Sequence, residues 1–136
     1  MKSLIVALAL LLTSAATSPR SGIGMKIAAP TSIFQLIATP EKYDGKRVSA
    51  VGYLELQTGG GVLYLHREDY EFRLYQDSLS VEFEEKLTQE DEARVNRQYV
   101  YLLGIFDTKG SGKTGGSIKH AKVVMVWPGR NAQLSK

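Results

Sequence analysis

The chain has 136 residues, a formal net charge of +3 and no cysteine. This length fits one domain of modest size. The absence of cysteine excludes disulfides, a lipid-modified cysteine and thiolate metal sites, and the weak positive charge gives little support to nucleic-acid binding.

The first 18 residues have the pattern of a secretory signal peptide. Lys2 gives a positive start, residues 4–12 form an apolar run, and the small residues 13–18 permit cleavage after Ala16 or Ser18. The apolar run is shorter than the roughly 20 residues of a membrane span. We therefore expect a cleaved signal and no transmembrane segment afterwards. Because exported eukaryotic domains of this size often rely on disulfides, the lack of cysteine favours a bacterial periplasmic or secreted protein.

A short helix is the first element predicted after the signal. Thr31 or Ser32 is a suitable N-cap, and Gln35 is placed to complete a capping box with Ser32. The helix should end just before Pro40, because proline disfavours helical geometry in the residue that precedes it. An Asp-Gly turn is predicted over residues 43–46.

Three strand-like segments follow. Residues 47–57 alternate with a period of two, which predicts a strand with one buried face. The glycines of residues 58–61 should reverse the chain into a second strand over residues 62–66. The polar residues 67–77 contain embedded aromatic side chains and their structure stays open, whereas residues 78–83 alternate as a third strand.

A second helix and two more strands complete the pattern. Thr88 is the expected N-cap of a short helix whose first turn is acidic. Residues 99–106 are predicted to form the fourth strand, and residues 117–127 the fifth. The glycine-rich residues 107–116 should form the long loop between these two strands.

The order of predicted elements is a helix followed by β-β-β-α-β-β. This is the order of the OB-fold, a five-stranded barrel. We therefore predict a mainly β, five-stranded OB-like barrel over residues 31–130, preceded by a short N-terminal helix. Residues 19–30 are predicted to be a linker after the signal peptide of residues 1–18, and residues 131–136 a polar tail.

Two parts of the chain resemble small exported bacterial OB-fold-like proteins, a largely uncharacterised family. Residues 36–48 and 51–54 carry a helix end, a Thr-Pro-Glu-Lys-Tyr-Asp-Gly-Lys turn and a first strand, as those proteins do. Residues 99–107, 116–119 and 126–128 are similar to their closing hairpin. The resemblance implies an OB-like scaffold and export, and it supplies no active site, since fold does not give function.

No catalytic constellation stands out. Residues 110–114 mimic the end of a phosphate-binding loop, but Asp107 replaces the required glycine and a strand follows instead of a helix. His66 with Glu68 and Asp69 would make only a weak metal site. We therefore predict no catalytic residue, no metal and no cofactor.

Four residues are candidate ligand contacts: Tyr53, Gly60, Lys113 and Lys119. In OB-folds, the loops between strands one and two and between strands four and five flank the ligand-binding face. Gly60 belongs to the first loop and Lys113 to the second. Tyr53 shares its strand face with charged residues, so we expect it to be exposed for stacking. Lys119 lies in the basic C-terminal part.

Charge is divided unevenly along the chain. Residues 55–92 contain eleven acidic and three basic side chains, and residues 93–136 contain eight basic and one acidic. These parts either neutralise each other or present a basic surface to an anionic or oligomeric ligand. We predict an exported, non-enzymatic binding module of OB-fold type. The alternative is a periplasmic protein-interaction, inhibitor or immunity-type protein, whose association such a charge distribution would steer.

Overall fold

The computed structural model describes residues 29–110 and 112–128. The predicted signal peptide, most of the predicted linker and the predicted tail lie outside these residues. The elements are α1 (Ile33–Ala38), β1 (Arg47–Gln57), β2 (Gly60–Tyr64), α2 (Arg67–Glu71), β3 (Ser78–Phe83), α3 (Gln89–Val95), β4 (Gln98–Asp107) and β5 (Ser117–Val126), with short 3₁₀ turns at Pro40–Lys42 and Tyr75–Asp77.

The five strands close into a barrel in the order β1-β2-β3-β5-β4. β3 and β5 run parallel, and the other neighbouring strands are antiparallel. This order, with α3 between β3 and β4, is that of the OB-fold. The predicted fold class is confirmed.

Alternating side chains of every strand fill the barrel. Fully buried examples are Leu54 of β1, Leu63 of β2, Leu79 of β3, Leu102 of β4 and Ile118 of β5. Because successive side chains of a strand point to opposite faces, the residues between them lie on the outer surface.

α1 packs onto the barrel. Its N-cap is Ser32, whose Oγ accepts a hydrogen bond from the Phe34 amide at 3.2 Å. The helix ends at Ala38, ahead of Pro40, as predicted. Ile33 and Leu36 are completely buried and belong to the barrel core. No helix of the described residues is long and apolar enough to cross a membrane.

The second strand differs from its prediction. It spans Gly60–Tyr64 instead of residues 62–66, so Gly60 is paired in the sheet and the turn consists of residues 58 and 59. A side chain at Gly60 would collide with the carbonyl oxygen of Val81, which explains a glycine within this strand. The strand ends early because the His66 amide donates to Asp69 Oδ2 at 3.0 Å at the start of α2.

Candidate ligand-binding groove

Two adjoining hollows form a groove on the outer face of β2 and β3. One hollow is lined by the turn at residues 58–59, by β2, by Ser80 and by Lys113 and Thr114 of the β4–β5 loop, residues 108–116. The other is lined by residues 73–77 and again by Lys113. Tyr75 and Lys113 line both hollows, so the two lie side by side.

Hydrogen bonds to β3 fix one wall of the groove. The Gly115 amide donates to the Ser78 carbonyl, and the Ser80 amide donates to the Gly116 carbonyl, both at 2.9 Å. The hydroxyls of Ser80 and Thr114 share a further hydrogen bond of 2.9 Å. The end of the β4–β5 loop is therefore held against the barrel, immediately after Lys113.

The segment between β2 and β3 builds the opposite wall. Tyr75 lies in the turn that precedes β3, where its carbonyl accepts a hydrogen bond from Ser78 Oγ at 2.6 Å. Arg73 Nη1 donates to the Tyr75 hydroxyl at 3.5 Å. Arg73 has a φ of 57°, a left-handed conformation uncommon for a residue other than glycine. This backbone turn brings the arginine and the tyrosine to the same side of the groove.

Behind this wall, five rings form a tyrosine cluster on the outer face of the barrel. Successive ring centroids lie 5.4 to 6.3 Å apart. Such tilted and edge-to-face pairs add to the free energy gained from burying the rings. The cluster consists of Tyr53, Tyr64, Tyr70, Tyr75 and Tyr99. It ties α2 and the turn at Tyr75 to strands β1, β2 and β4.

Arginine and glutamate side chains border the cluster. The guanidinium carbons of Arg73 and Arg97 each lie 5.8 Å from the centre of the Tyr70 ring. Glu55 Oε2 accepts a hydrogen bond from the Tyr64 hydroxyl at 3.4 Å. Burial, reinforced by the charge of Glu55, raises the pKa of Tyr64, and burial also raises the pKa of Tyr53. Both phenols are therefore neutral hydrogen-bond donors at ordinary pH.

Only two of the four predicted contact residues line the groove. Gly60 contributes to its floor and Lys113 to its edge. Tyr53 is only 7% exposed, because Tyr70 of α2 packs against its ring. The structure thus does not present Tyr53 as the exposed platform expected from its strand face.

Lys119 also lies outside the groove lining. Its Nζ is 3.0 Å from Asp107 Oδ2. This contact raises the pKa of Lys119, and the pKa of Asp107 is lowered, first by the hydrogen bond from the Lys109 amide and then by Lys119. Lys119 of β5 therefore makes an ion pair with Asp107 of β4 within the fold. Its role in ligand binding stays a prediction.

The groove also contains two residues that the sequence did not single out. Tyr75 and Arg73 belong to residues 67–77, whose structure the periodicity left open. One feature of the sequence could have indicated Tyr75 as a site residue. It lies just before the third strand, which borders the expected ligand-binding face.

The other candidate sites have ordinary structural roles. Among the described residues, no group of three or more His, Asp or Glu side chains could hold a metal. His66 Nδ1 lies 3.4 Å from Asp69 Oδ2 at the start of α2. The loop that mimics a phosphate-binding motif leads into β5, so no helix follows it.

Comparison with known proteins identifies no relative of this chain. No protein-family model, curated protein or solved structure matches this chain. The fold assignment therefore depends on the strand order and pairing, and a functional argument has to start from the groove and its residues.

Proposed function

We propose that this protein is an exported, non-enzymatic binding module that holds its ligand in the groove. The observation that carries the proposal is which segments of the chain form the groove walls. They include the β1–β2 turn and the β4–β5 loop, the two loops that flank ligands in OB-folds. The signal-like N-terminus and the resemblance to exported OB-like proteins support export.

The construction of the groove supports binding of a ligand without rearrangement. Its floor includes Gly60 and Gly61 of β2, a strand that is paired with β1 on one side and β3 on the other. Its walls are held by hydrogen bonds at Ser80 and Tyr75. Binding to a fixed site costs less conformational entropy than ordering a mobile loop.

Lys113 is available for a ligand. Among the residues that the structure describes, it enters no ion pair, and its side chain is exposed. A cation at the edge of a groove attracts anionic groups and raises the rate of encounter. This position supports a ligand that carries negative charge.

The lack of cysteine allows a direct blocking experiment. Thr58 lies in the exposed turn at one end of the groove, so a bulky maleimide on a Thr58→Cys variant would obstruct it. Gln98→Cys, exposed on β4 and outside the groove lining, is the matched control. Both labelled proteins are titrated by calorimetry against neutral and acidic oligosaccharides, single-stranded DNA and peptides.

Loss of binding after labelling at position 58, with binding retained after labelling at position 98, is the expected result. Equal binding by both labelled proteins would mean that the ligand occupies another surface. Failure of every probe to bind the unlabelled protein would also contradict the proposal.

A second candidate function, recognition of a protein partner, is favoured by one exposed segment. Phe72 is 74% exposed and Leu74 is 45% exposed, in the turn that follows α2. Their amides donate to the carbonyls of Glu68 and Asp69 at 2.9 Å, which fixes the turn. Exposed apolar side chains that lie close together form the kind of surface that marks many protein-interaction sites.

The charges near this turn describe the partner that it fits. Residues 67–77 contain four acidic and two basic side chains. An apolar pocket with a basic rim on another protein would complement them. A partner that wild-type protein retains and the Phe72→Ser variant loses supports this second function, because Phe72 lies outside the groove lining. A partner retained equally by both proteins argues against it.

A further inference from the structure

The charges in the groove limit the kind of ligand that it suits. Among its described lining residues, Arg73 and Lys113 are basic and Asp77 is acidic. Nucleic-acid strands carry a negative charge on every nucleotide, and proteins that bind them neutralise many phosphates. A lining with so little net positive charge is better matched to a ligand whose negative groups are widely spaced.

The uncharged lining points to a ligand rich in hydroxyl groups. Among the described residues, the uncharged polar side chains that line the hollow beside β2 are Gln57, Thr58, Tyr75, Ser80 and Thr114, of which Ser80 and Thr114 already share a hydrogen bond. Amide and hydroxyl groups both donate and accept hydrogen bonds, as sugar hydroxyls do. An oligosaccharide therefore matches this hollow better than an apolar ligand does.

Among the described residues that line the groove, one has an aromatic ring, Tyr75. Proteins that bind single-stranded nucleic acids stack successive bases on several aromatic side chains. The neighbouring rings of Tyr53 and Tyr64 are buried within the tyrosine cluster and cannot supply further platforms. A single ring beside polar groups suits one sugar ring of a chain.

We propose that the groove takes an acidic oligosaccharide in which carboxylate-bearing sugars alternate with neutral ones. This inference rests on the proposed binding function and names its ligand class. One sugar lies against Tyr75, with its carboxylate within reach of Arg73 or Lys113. The neutral sugars extend along β2 towards the turn at Thr58, where hydroxyl and amide groups bind them.

The test uses a hyaluronan hexasaccharide, whose uronates alternate with neutral sugars. The matched probe is the methyl ester of the same hexasaccharide, which keeps the sugar hydroxyls and loses the charges. Single-stranded oligothymidylate is the nucleic-acid probe. Calorimetry should show binding of the hexasaccharide, with at least tenfold weaker binding of both its ester and the oligothymidylate.

Variants then locate the carboxylate contact. Lys113→Ala should weaken hexasaccharide binding about tenfold, the effect of losing one charge-assisted hydrogen bond. Lys109→Ala removes a lysine from the same loop outside the groove lining and should change nothing. Arg73→Asn should also weaken binding, and it suits the left-handed backbone because asparagine tolerates that conformation.

The possible failures separate the ligand class from the function. Equal binding of acid and ester would overturn the role of the carboxylate, and tighter binding of oligothymidylate would overturn the choice of a sugar. In both cases, a block by the label at position 58 leaves the binding function standing. If the hexasaccharide does not bind and another probe binds in the groove, the proposed ligand class is overturned and the proposed binding function is not. No probe bound in the groove overturns both.

Discussion

Tyr70 of α2 lies against Tyr53 of β1, with ring centroids 5.4 Å apart and planes inclined at 40°. This contact helps to bury the Tyr53 ring on the outer face of β1 and to hold residues 67–77 against the barrel. Tyr75, at the end of the same segment, is thereby placed beside β2 and the β4–β5 loop. The tyrosine cluster therefore both stabilises the fold and positions one wall of the groove.

The centre of this cluster should be important for stability. Tyr64 is completely buried, so Tyr64→Ala should lower the free energy of unfolding by about 3–5 kcal/mol, as for other large aromatic truncations. Phe34→Ala is the control, because Phe34 is 67% exposed and its loss should cost far less. Urea unfolding followed by fluorescence measures both. Similar losses for the two variants would contradict the structural role of the cluster.

The N-cap of α3 gives a second prediction. Thr88 Oγ1 accepts a hydrogen bond from the Asp91 amide at 3.1 Å. Thr88→Ala should lower stability by about 1 kcal/mol, whereas Thr88→Ser should retain most of it, because serine can make the same hydrogen bond. The urea concentrations at which wild type, Thr88→Ala and Thr88→Ser are half unfolded measure these changes in stability. Equal losses in both variants would show that the hydroxyl is not the cause.

A third prediction concerns acid pH. The hydrogen bond from the Lys109 amide and then the Lys119 side chain lower the pKa of Asp107. A depressed carboxyl pKa stabilises the fold above the ordinary value near pH 4, and this contribution disappears as the pH falls through the lowered value. The difference in Tm between wild type and Asp107→Asn should therefore be present at neutral pH and shrink below about pH 4.

Lys109→Ala is the control for this titration, since the bond to Asp107 comes from the Lys109 backbone amide. We expect this variant to keep most of the pH-dependent difference. A Tm difference between wild type and Asp107→Asn that stays constant from neutral to acid pH would contradict the assignment.

Gly60 provides a fourth prediction, about the floor of the groove. A methyl group at this position would meet the carbonyl oxygen of Val81 across the β2–β3 pair. Gly60→Ala should therefore destabilise the protein by about 1–3 kcal/mol, as overpacking does. Gly61→Ala serves for comparison. An added Cβ at Gly61 would lie farther from the nearest carbonyl oxygen, that of Glu55, so this substitution should destabilise the protein less. Chemical denaturation that finds Gly60→Ala as stable as wild type would contradict this close approach.

Export leads to a fifth prediction. Cleavage after Ala16 or Ser18 predicts a mature N-terminus at Thr17 or Pro19. Expression of the full chain in a bacterium, followed by mass spectrometry of periplasmic and secreted fractions, identifies that terminus. An intact chain recovered only from the cytoplasm would contradict export.

The sequence predicted the strands well where one face of each is filled by apolar residues. The bounds of β1 and β3 and the cap of α3 follow from alternation and capping residues, and the helix between the third and fourth strands indicated the strand order of the OB-fold. β2 was misplaced because glycines usually indicate a turn, whereas Gly60 and Gly61 occupy strand positions beside neighbouring carbonyl groups.

The groove was only partly predictable. Gly60 and Lys113 followed from the loops of the expected fold. The burial of Tyr53 could not be predicted, because it comes from a contact with Tyr70. The alternation of residues within one strand gives no information about a contact between distant parts of the chain. Tyr75 enters the groove through a 3₁₀ turn after Arg73, whose left-handed backbone is not signalled by its residue type.

Amide chemical-shift mapping of the ¹⁵N-labelled protein with the hyaluronan hexasaccharide tests the central claim most directly. The predicted result is a set of shifts confined to the groove, at Thr58, Val62, Tyr75, Ser80 and Thr114. Shifts centred on the opposite side of the barrel, at Leu103 and Ile105 of β4, would contradict the account.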